Sequence, residues 1–267
     1  LIIFPRIYKI TLLILSSELI IISMSKIISF ASDFGLNDGS VGVVKGVISR
    51  IDDSLKVNDI SHGIPPQDIK YGSLLLMRAI QYIPQGVLLA VVDPGVGTDR
   101  KAIAITTDWG VMIGPDNGLF SIIIQRSNAV AVERITWKPD NLSQSFHGRD
   151  LFAPVAAMLA TGVNVETMPI ANNSLVGTDW PKDLYAVIYI DHFGNAITGI
   201  RAKLIPQTRI IECSGKKFSY AKTFSSVETG AAFWYENSNG LIEIAVNQGR
   251  ADGLGLVVGQ PISVSMP

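Results

Sequence analysis

The 267-residue chain has one cysteine, Cys213, and three histidines, His62, His147 and His192. A single thiol excludes an internal disulfide and a cysteine-cluster metal site, and it fits a reducing compartment such as the cytoplasm. No two histidines stand at ligand spacing, which argues against a catalytic metal. Charge is also scarce. Charged residues make up 17%, where about 25% is usual, and the net charge is −1 with no basic stripe. That excludes a binder held to nucleic acid by electrostatics. Hydrophobic residues are 48%, and the 24 Gly and 13 Pro are scattered, so the chain is neither disordered nor of low complexity. Its length suits one large domain or two modest ones with a substantial core.

Residues 1–23 differ from the rest. Arg6 and Lys9 precede an apolar stretch at 10–23, the order of a secretory signal. Glu18 interrupts the stretch, no small-residue cleavage site follows, and its 14 residues fall short of the roughly 20 needed to span a bilayer. The expectation is an extension outside the mature fold, with a signal or anchor, or an ordinary helix, as alternatives. No stable membrane partner is expected.

Beyond it, apolar runs at 26–32, 55–60 and 86–92 read as strands. Helical spacing of Val41, Val44, Val47, Ile48 and Ile51 predicts a helix over 40–51, and further helices are expected at 67–83 and 149–161. Segments 102–107 and 111–113 read as a hairpin, and 119–125 as a short helix or strand. Alternating strands and helices predict an α/β domain, a largely parallel sheet with flanking helices, over 24–176. After a turn-rich linker, short strands at 184–190, 196–200, 209–213, 241–246 and 261–264 predict a small all-β, barrel-like domain over 183–267.

Four polar clusters could carry chemistry. Asp33-Phe34-Gly35, with Asp38 and Ser40, ends the first strand, where α/β sheets bind ligands. The plainer reading is a carboxylate capping the next helix. Asp93 ends a buried strand, and Arg100 lies seven residues on, able to return and pair with it. The plainer reading there is a capped turn. His147 stands in a Gly-containing segment before a helix, where a side chain can face a cleft, whereas His62 reads as structural. Asp191, Phe193 and Asn195 lie within five residues, a set suited to an amine and a flat ring, or to a tight hairpin turn.

In order, SDFG-x-x-D-x-S at 32–40, VDPGVGT-x-R at 92–100, PDNGLF at 115–120, FHGRD-x-FAP at 146–154, IDHFGN at 190–195 and NS-x-GL-x-EIAVN at 237–247 resemble the S-adenosyl-L-methionine (SAM) hydrolase family, also called the SAM hydroxide adenosyltransferases, to which fluorinase and chlorinase are related. The resemblance covers residue 24 onward. It implies a homotrimer in which the β-barrel domain completes the site of a neighbouring subunit. It implies hydrolysis of SAM to adenosine and L-methionine by attack of an activated water on ribose C5′, with SAM as substrate and no metal or cofactor. It places the catalytic set on Asp93, Arg100 and His147. Asp33 should hold the ribose hydroxyls, with Asp38, Ser40 and Phe146 nearby. Asp191 should meet the methionine amine, Phe193 and Asn195 the adenine, and Ser238 and Asn239 the methionine carboxylate. A strand over 244–248, ending in Asn247 and Gln248, should offer backbone groups to the adenine edge. The halogenases carry Arg at Asn239, Tyr at Asp93 and Ser at Gly148, and the last two departures point to water over halide. A non-catalytic SAM- or adenosine-binding module is the alternative from another class.

Overall fold

The computed structural model describes residues 12–15, 18–21, 26–128 and 130–266. The chain divides into two compact units, Leu1–Trp180 and Pro181–Pro267. No helix among the described residues is long and apolar enough to cross a membrane.

The first unit begins with a short antiparallel pair, β1 (Leu12–Leu15) and β2 (Glu18–Ile21). A helix is therefore not formed there, and the rest of the expected extension lies outside the described residues. A seven-stranded sheet follows, built from β3 (Ile27–Ser32), β4 (Lys56–Ser61), β5 (Val87–Val91), β6 (Ala102–Thr107), β7 (Val111–Pro115), β8 (Val130–Ile135) and β9 (Thr167–Pro169). Its spatial order is β4-β3-β5-β7-β6-β8-β9. The first four strands in that order run parallel, and β6, β8 and β9 extend the sheet antiparallel. The helices are α1 (Ser40–Ile51), α2 (Ile69–Ala79), α3 (Ser121–Arg126) and α4 (Ala153–Ala160). The expected α/β architecture is present, and β8 and β9 add strands that the apolar pattern did not announce.

Strands β3 and β5 are apolar at nearly every position because both faces are covered. Phe30 and Leu89 pack under α1 and α4, and Leu88 and Ala90, pointing the other way, are equally buried. Each such large side chain contributes about 2 kcal/mol of burial. The order of strands positions the site. From β3 the chain crosses to β4 on one side, and from β4 through α2 it returns to β5 on the other. The carboxyl ends of β3 and β5 thus flank the crevice that such a reversal opens.

In the second unit, β10 (Leu184–Ile190), β11 (Ala196–Arg201), β15 (Leu241–Val246) and β14 (Ala232–Glu236) form one antiparallel sheet. β13 (Lys216–Phe218), β12 (Ile210–Cys213) and β16 (Ser263–Ser265) form another. Single bridges, Ala186 to Pro261 and Tyr220 to Trp234, join the two sheets along both margins. The result is a closed, barrel-like ring without long open edges. Val187, Ile200, Phe218, Trp234, Ile244 and Leu256 fill it.

Candidate active site

Asp33 follows β3 and Asp93 lies two residues after the end of β5, the adjacent parallel strand. The Asp33 N–H reaches the Val91 carbonyl at 3.4 Å, so the two strand ends stay side by side. Asp33 does not cap α1. Its Oδ2 accepts the backbone N–H of Gln67 at 2.9 Å, in the turn after Pro65-Pro66, where Gln67 takes a left-handed φ of 65°. Asp38 does the local work instead. Its Oδ1 accepts the Ser40 N–H at 2.9 Å where α1 begins, and that bond holds its carboxyl below the usual range.

Arg100 returns to Asp93. Its Nε donates to Oδ1 at 2.9 Å and to Oδ2 at 3.1 Å, and its Nη2 donates to Oδ2. Both side chains are nearly buried, at 10% and 6% exposure, so the partnership is what keeps two desolvated charges tolerable. The guanidinium lies over the Phe152 ring, 5.0 Å from its centroid.

The same Nη2 lies 2.8 Å from His147 Nδ1. A guanidinium only donates, so Nδ1 accepts and the ring proton of the neutral imidazole sits on Nε2. Burial, then the Arg100 charge, lower the His147 pKa below the ordinary 6.5, which favours that neutral ring. His147 precedes a single π-helical turn, Gly148–Phe152, that runs into α4; this replaces the start of the α-helix expected at 149–161. Such wide turns recur at functional sites. A Cβ at Gly148 would stand 2.8 Å from Phe34 Cζ, so any larger residue there must push the Phe34 ring aside. Phe34 in turn packs edge-on to Phe146, centroids 5.6 Å apart.

Asp33, Phe34, Gln67, Asp93, Phe146, His147 and Gly148 all line one cavity of about 320 Å³. Pro66, Val91, Pro94, Val96 and Ser145 complete its wall. That volume is at the small end of ligand pockets. Asp38 and Ser40 are not among the lining residues. Among the described residues, no group of three or more His, Cys, Asp or Glu gathers as a metal site. His62 is buried, with Nδ1 2.7 Å from Ser32 Oγ, as its structural reading expects.

In the second unit, Asp191, Phe193 and Asn195 lie on the turn between β10 and β11. Asp191 accepts from the backbone N–H and the side-chain amide of Asn195, at 2.8 and 3.0 Å. Phe193 projects from the tip, 71% exposed. Gly194 combines a φ of +85° with an Arg250 side chain that a Cβ would meet at 2.8 Å. Ser238 and Asn239 form the turn between β14 and β15, where Asn237 Oδ1 accepts the N–H groups of Asn239 and Leu241. The strand expected over 244–248 ends at Val246. Gln248 takes a left-handed φ of 54°, which a ladder cannot continue, and the Asn247 side chain donates to the Val227 carbonyl.

Motif reading missed Gln67, whose part depends on a backbone angle that no residue type announces. It included Glu243 in the last motif without a role; the residue is buried inside β15 and bonded to Tyr235 and Asn237. A lone carboxylate in an otherwise apolar strand was the available signal.

Comparison with known proteins decides the family. The profile of the SAM hydroxide adenosyltransferase N-terminal domain matches residues 28–169, and that of the C-terminal domain matches residues 185–263. The chain belongs to the SAM hydroxide adenosyltransferase family. An (R)-S-adenosyl-L-methionine hydrolase of Thermus thermophilus is 40% identical to this family member over 256 residues, spanning 87% of this chain and 97% of the relative. Another from Salinispora arenicola is 36% identical, over 89% and 97%. A fluorinase of Actinopolyspora mzabensis is more distant, 24% identical over 83% and 90%. The crystal structure of an uncharacterized conserved protein from Thermotoga maritima superposes with a TM-score of 0.81 at 34% identity, covering 89% of this chain and all of the other.

Proposed function

We propose that this family member hydrolyses SAM to adenosine and L-methionine, as the names of its relatives suggest. The observation that carries the reading is that Asp93 and His147 line one cavity while Arg100, behind its wall, bonds to both.

In the proposed step a water oxygen attacks C5′ of the ribose. The O–C5′ bond forms as the C5′–S bond breaks, and the electron pair of the latter goes to sulfur. Methionine leaves as a neutral thioether, so it needs no general acid. The water must lose a proton. With the ring proton of His147 on Nε2, that nitrogen donates to the water and cannot receive from it. Asp93 is therefore assigned the proton, which it later gives to solvent, and Arg100 holds the carboxylate in place. Orientation of the water in line with the C–S bond contributes several kcal/mol. Asp33 is assigned the ribose hydroxyls. Asp191, Phe193, Asn195, Ser238 and Asn239 are assigned the amine, adenine and carboxylate of substrate, with the second unit of one subunit serving the first unit of a neighbour in a trimer. A cytoplasmic setting is part of the same proposal.

The carboxylate at the cavity wall supports water over halide. A carboxylate can take a proton from water but offers a halide no hydrogen-bond donor. Purified protein incubated with SAM, with and without chelator, tests the reading by chromatography. Equal amounts of adenosine and methionine are expected in both arms. Unchanged SAM would leave the binding-module alternative, and halide-dependent 5′-halo-adenosine would favour a halogenase. Light scattering gives the subunit number, for which three is expected.

A further inference from the structure

The PDNGLF segment at 115–120 carries none of the residues assigned to substrate, yet it grips both limbs of the site. Asn117 Nδ2 donates to the Val92 carbonyl at 2.8 Å, one residue before Asp93. The orientation of its amide is fixed from the other side, since Asn117 Oδ1 accepts the Leu119 N–H at 3.2 Å. The preceding residue, Asp116, is 5% exposed and donates its backbone N–H to the Lys101 carbonyl at 2.9 Å, one residue after Arg100. Its Oδ2 also receives the Lys101 ammonium at 3.2 Å. Residues 93–100 are therefore a loop whose two feet are held by consecutive residues of a single turn. The ion pair between Asp93 and Arg100 closes the same loop from within.

We propose that Asn117 is a positioning residue, with Asp116 its partner, which together set the separation of the loop's feet and so aim the Asp93 carboxylate. A bidentate pair tolerates little change in that separation, because the Nε and Nη2 donors are fixed side by side in one rigid plane. Substrate binding does not depend on it to the same degree, as Asp33 and Phe146 stand on other segments. The effect falls on turnover and spares affinity. The kinetic readout rests on the hydrolase reading above; the spectroscopic one does not.

The test uses the full chain with Asn117→Asp. This variant keeps the acceptor for Leu119 but sets a carboxylate oxygen against the Val92 carbonyl. Val132→Ala, which loosens a buried position on β8 away from the cavity, serves as the control for mere destabilisation. For Asn117→Asp, kcat per folded protein should fall about 30-fold, short of the ~100-fold that a full ångström of misplacement can cost. KM for SAM should stay within about twofold. The Arg100 Nε–H resonance, assigned by its loss in Arg100→Lys, should shift or broaden in Asn117→Asp and stay in place in Val132→Ala. A normal kcat in Asn117→Asp, a change in KM alone, or equal losses of kcat in both variants would overturn the proposal. If the parent forms no adenosine, the hydrolase reading fails by itself, and the resonance alone decides the clamp: an unmoved signal in Asn117→Asp overturns it.

Discussion

The two units treat their polar residues differently. In the first, Asp93 is answered by Arg100, and Arg100 by His147, in a largely buried chain of side-chain contacts. In the second, Asp191 is occupied with its own turn through Asn195, and Phe193 stands in solvent. The difference follows from desolvation. A charge held at the carboxyl end of a buried parallel strand needs a partner in the same fold. A residue on an exposed turn can be satisfied by backbone and wait for substrate. The chemistry proposed above thus rests on the α/β unit, while the recognition assigned to the barrel rests on turns shaped for other reasons as well.

That contrast predicts a ranking of effects. Asp93→Ala should break the first unit hardest. Turnover should fall about a thousandfold, within the range for loss of a proton acceptor. Adenosine affinity, read by calorimetry, should survive. The stranded Arg100 should also cost about 3 kcal/mol of stability in denaturant melts. Equal turnover in mutant and parent would remove Asp93 from the mechanism.

Gly148→Ser comes next. Its Cβ must displace the Phe34 ring from 2.8 Å, and Phe34 and His147 share the cavity wall. A drop in kcat of about a hundredfold, the scale of an ångström-sized displacement, is expected in steady-state assays.

Acid should then act on His147. Its pKa is lowered in the folded protein, by burial first and by Arg100 second. The unfolded chain takes up a proton below about 6.5 that the folded one refuses. The contribution to stability is full above that pH and is lost as pH falls toward the lower folded value. Activity, which uses the neutral ring, should persist below pH 6.5 and then fall about tenfold per pH unit. In His147→Asn the corresponding slope in stability should flatten.

Changes in the barrel should be milder and of another kind. Asp191→Asn sets two amides against each other and should raise KM about fivefold, the scale of one hydrogen bond, with kcat nearly unchanged. Phe193→Ala should alter stability by less than about 0.5 kcal/mol, as its ring is exposed. A large kcat defect from either barrel substitution would erase the division of labour.

Much of the first unit could be read from its residues. The runs that became β3 and β5 are mostly apolar because both faces are buried, and an Asp just beyond each marked the strand ends. The seven-residue spacing of Asp93 and Arg100 anticipated their pairing. β8 was not legible because Glu133 and Arg134 break its apolar pattern toward the antiparallel margin. In the barrel, β13 has only three residues, and the end of β15 was misjudged because Gln248 turns left-handed. Spacing also could not show which nitrogen of His147 carries the proton. That follows from the Arg100 contact, which only the fold creates.

The central claim is that the chain drives water onto C5′ from a place prepared by Asp93, Arg100 and His147. Turnover of SAM in water enriched in heavy oxygen, followed by mass spectrometry of the nucleoside, tests it most directly. Adenosine bearing the heavy isotope on its 5′ carbon, formed by the parent and lost in Asp93→Ala, is the predicted result. Adenosine without the label, or labelled adenosine formed equally well by Asp93→Ala, would contradict it.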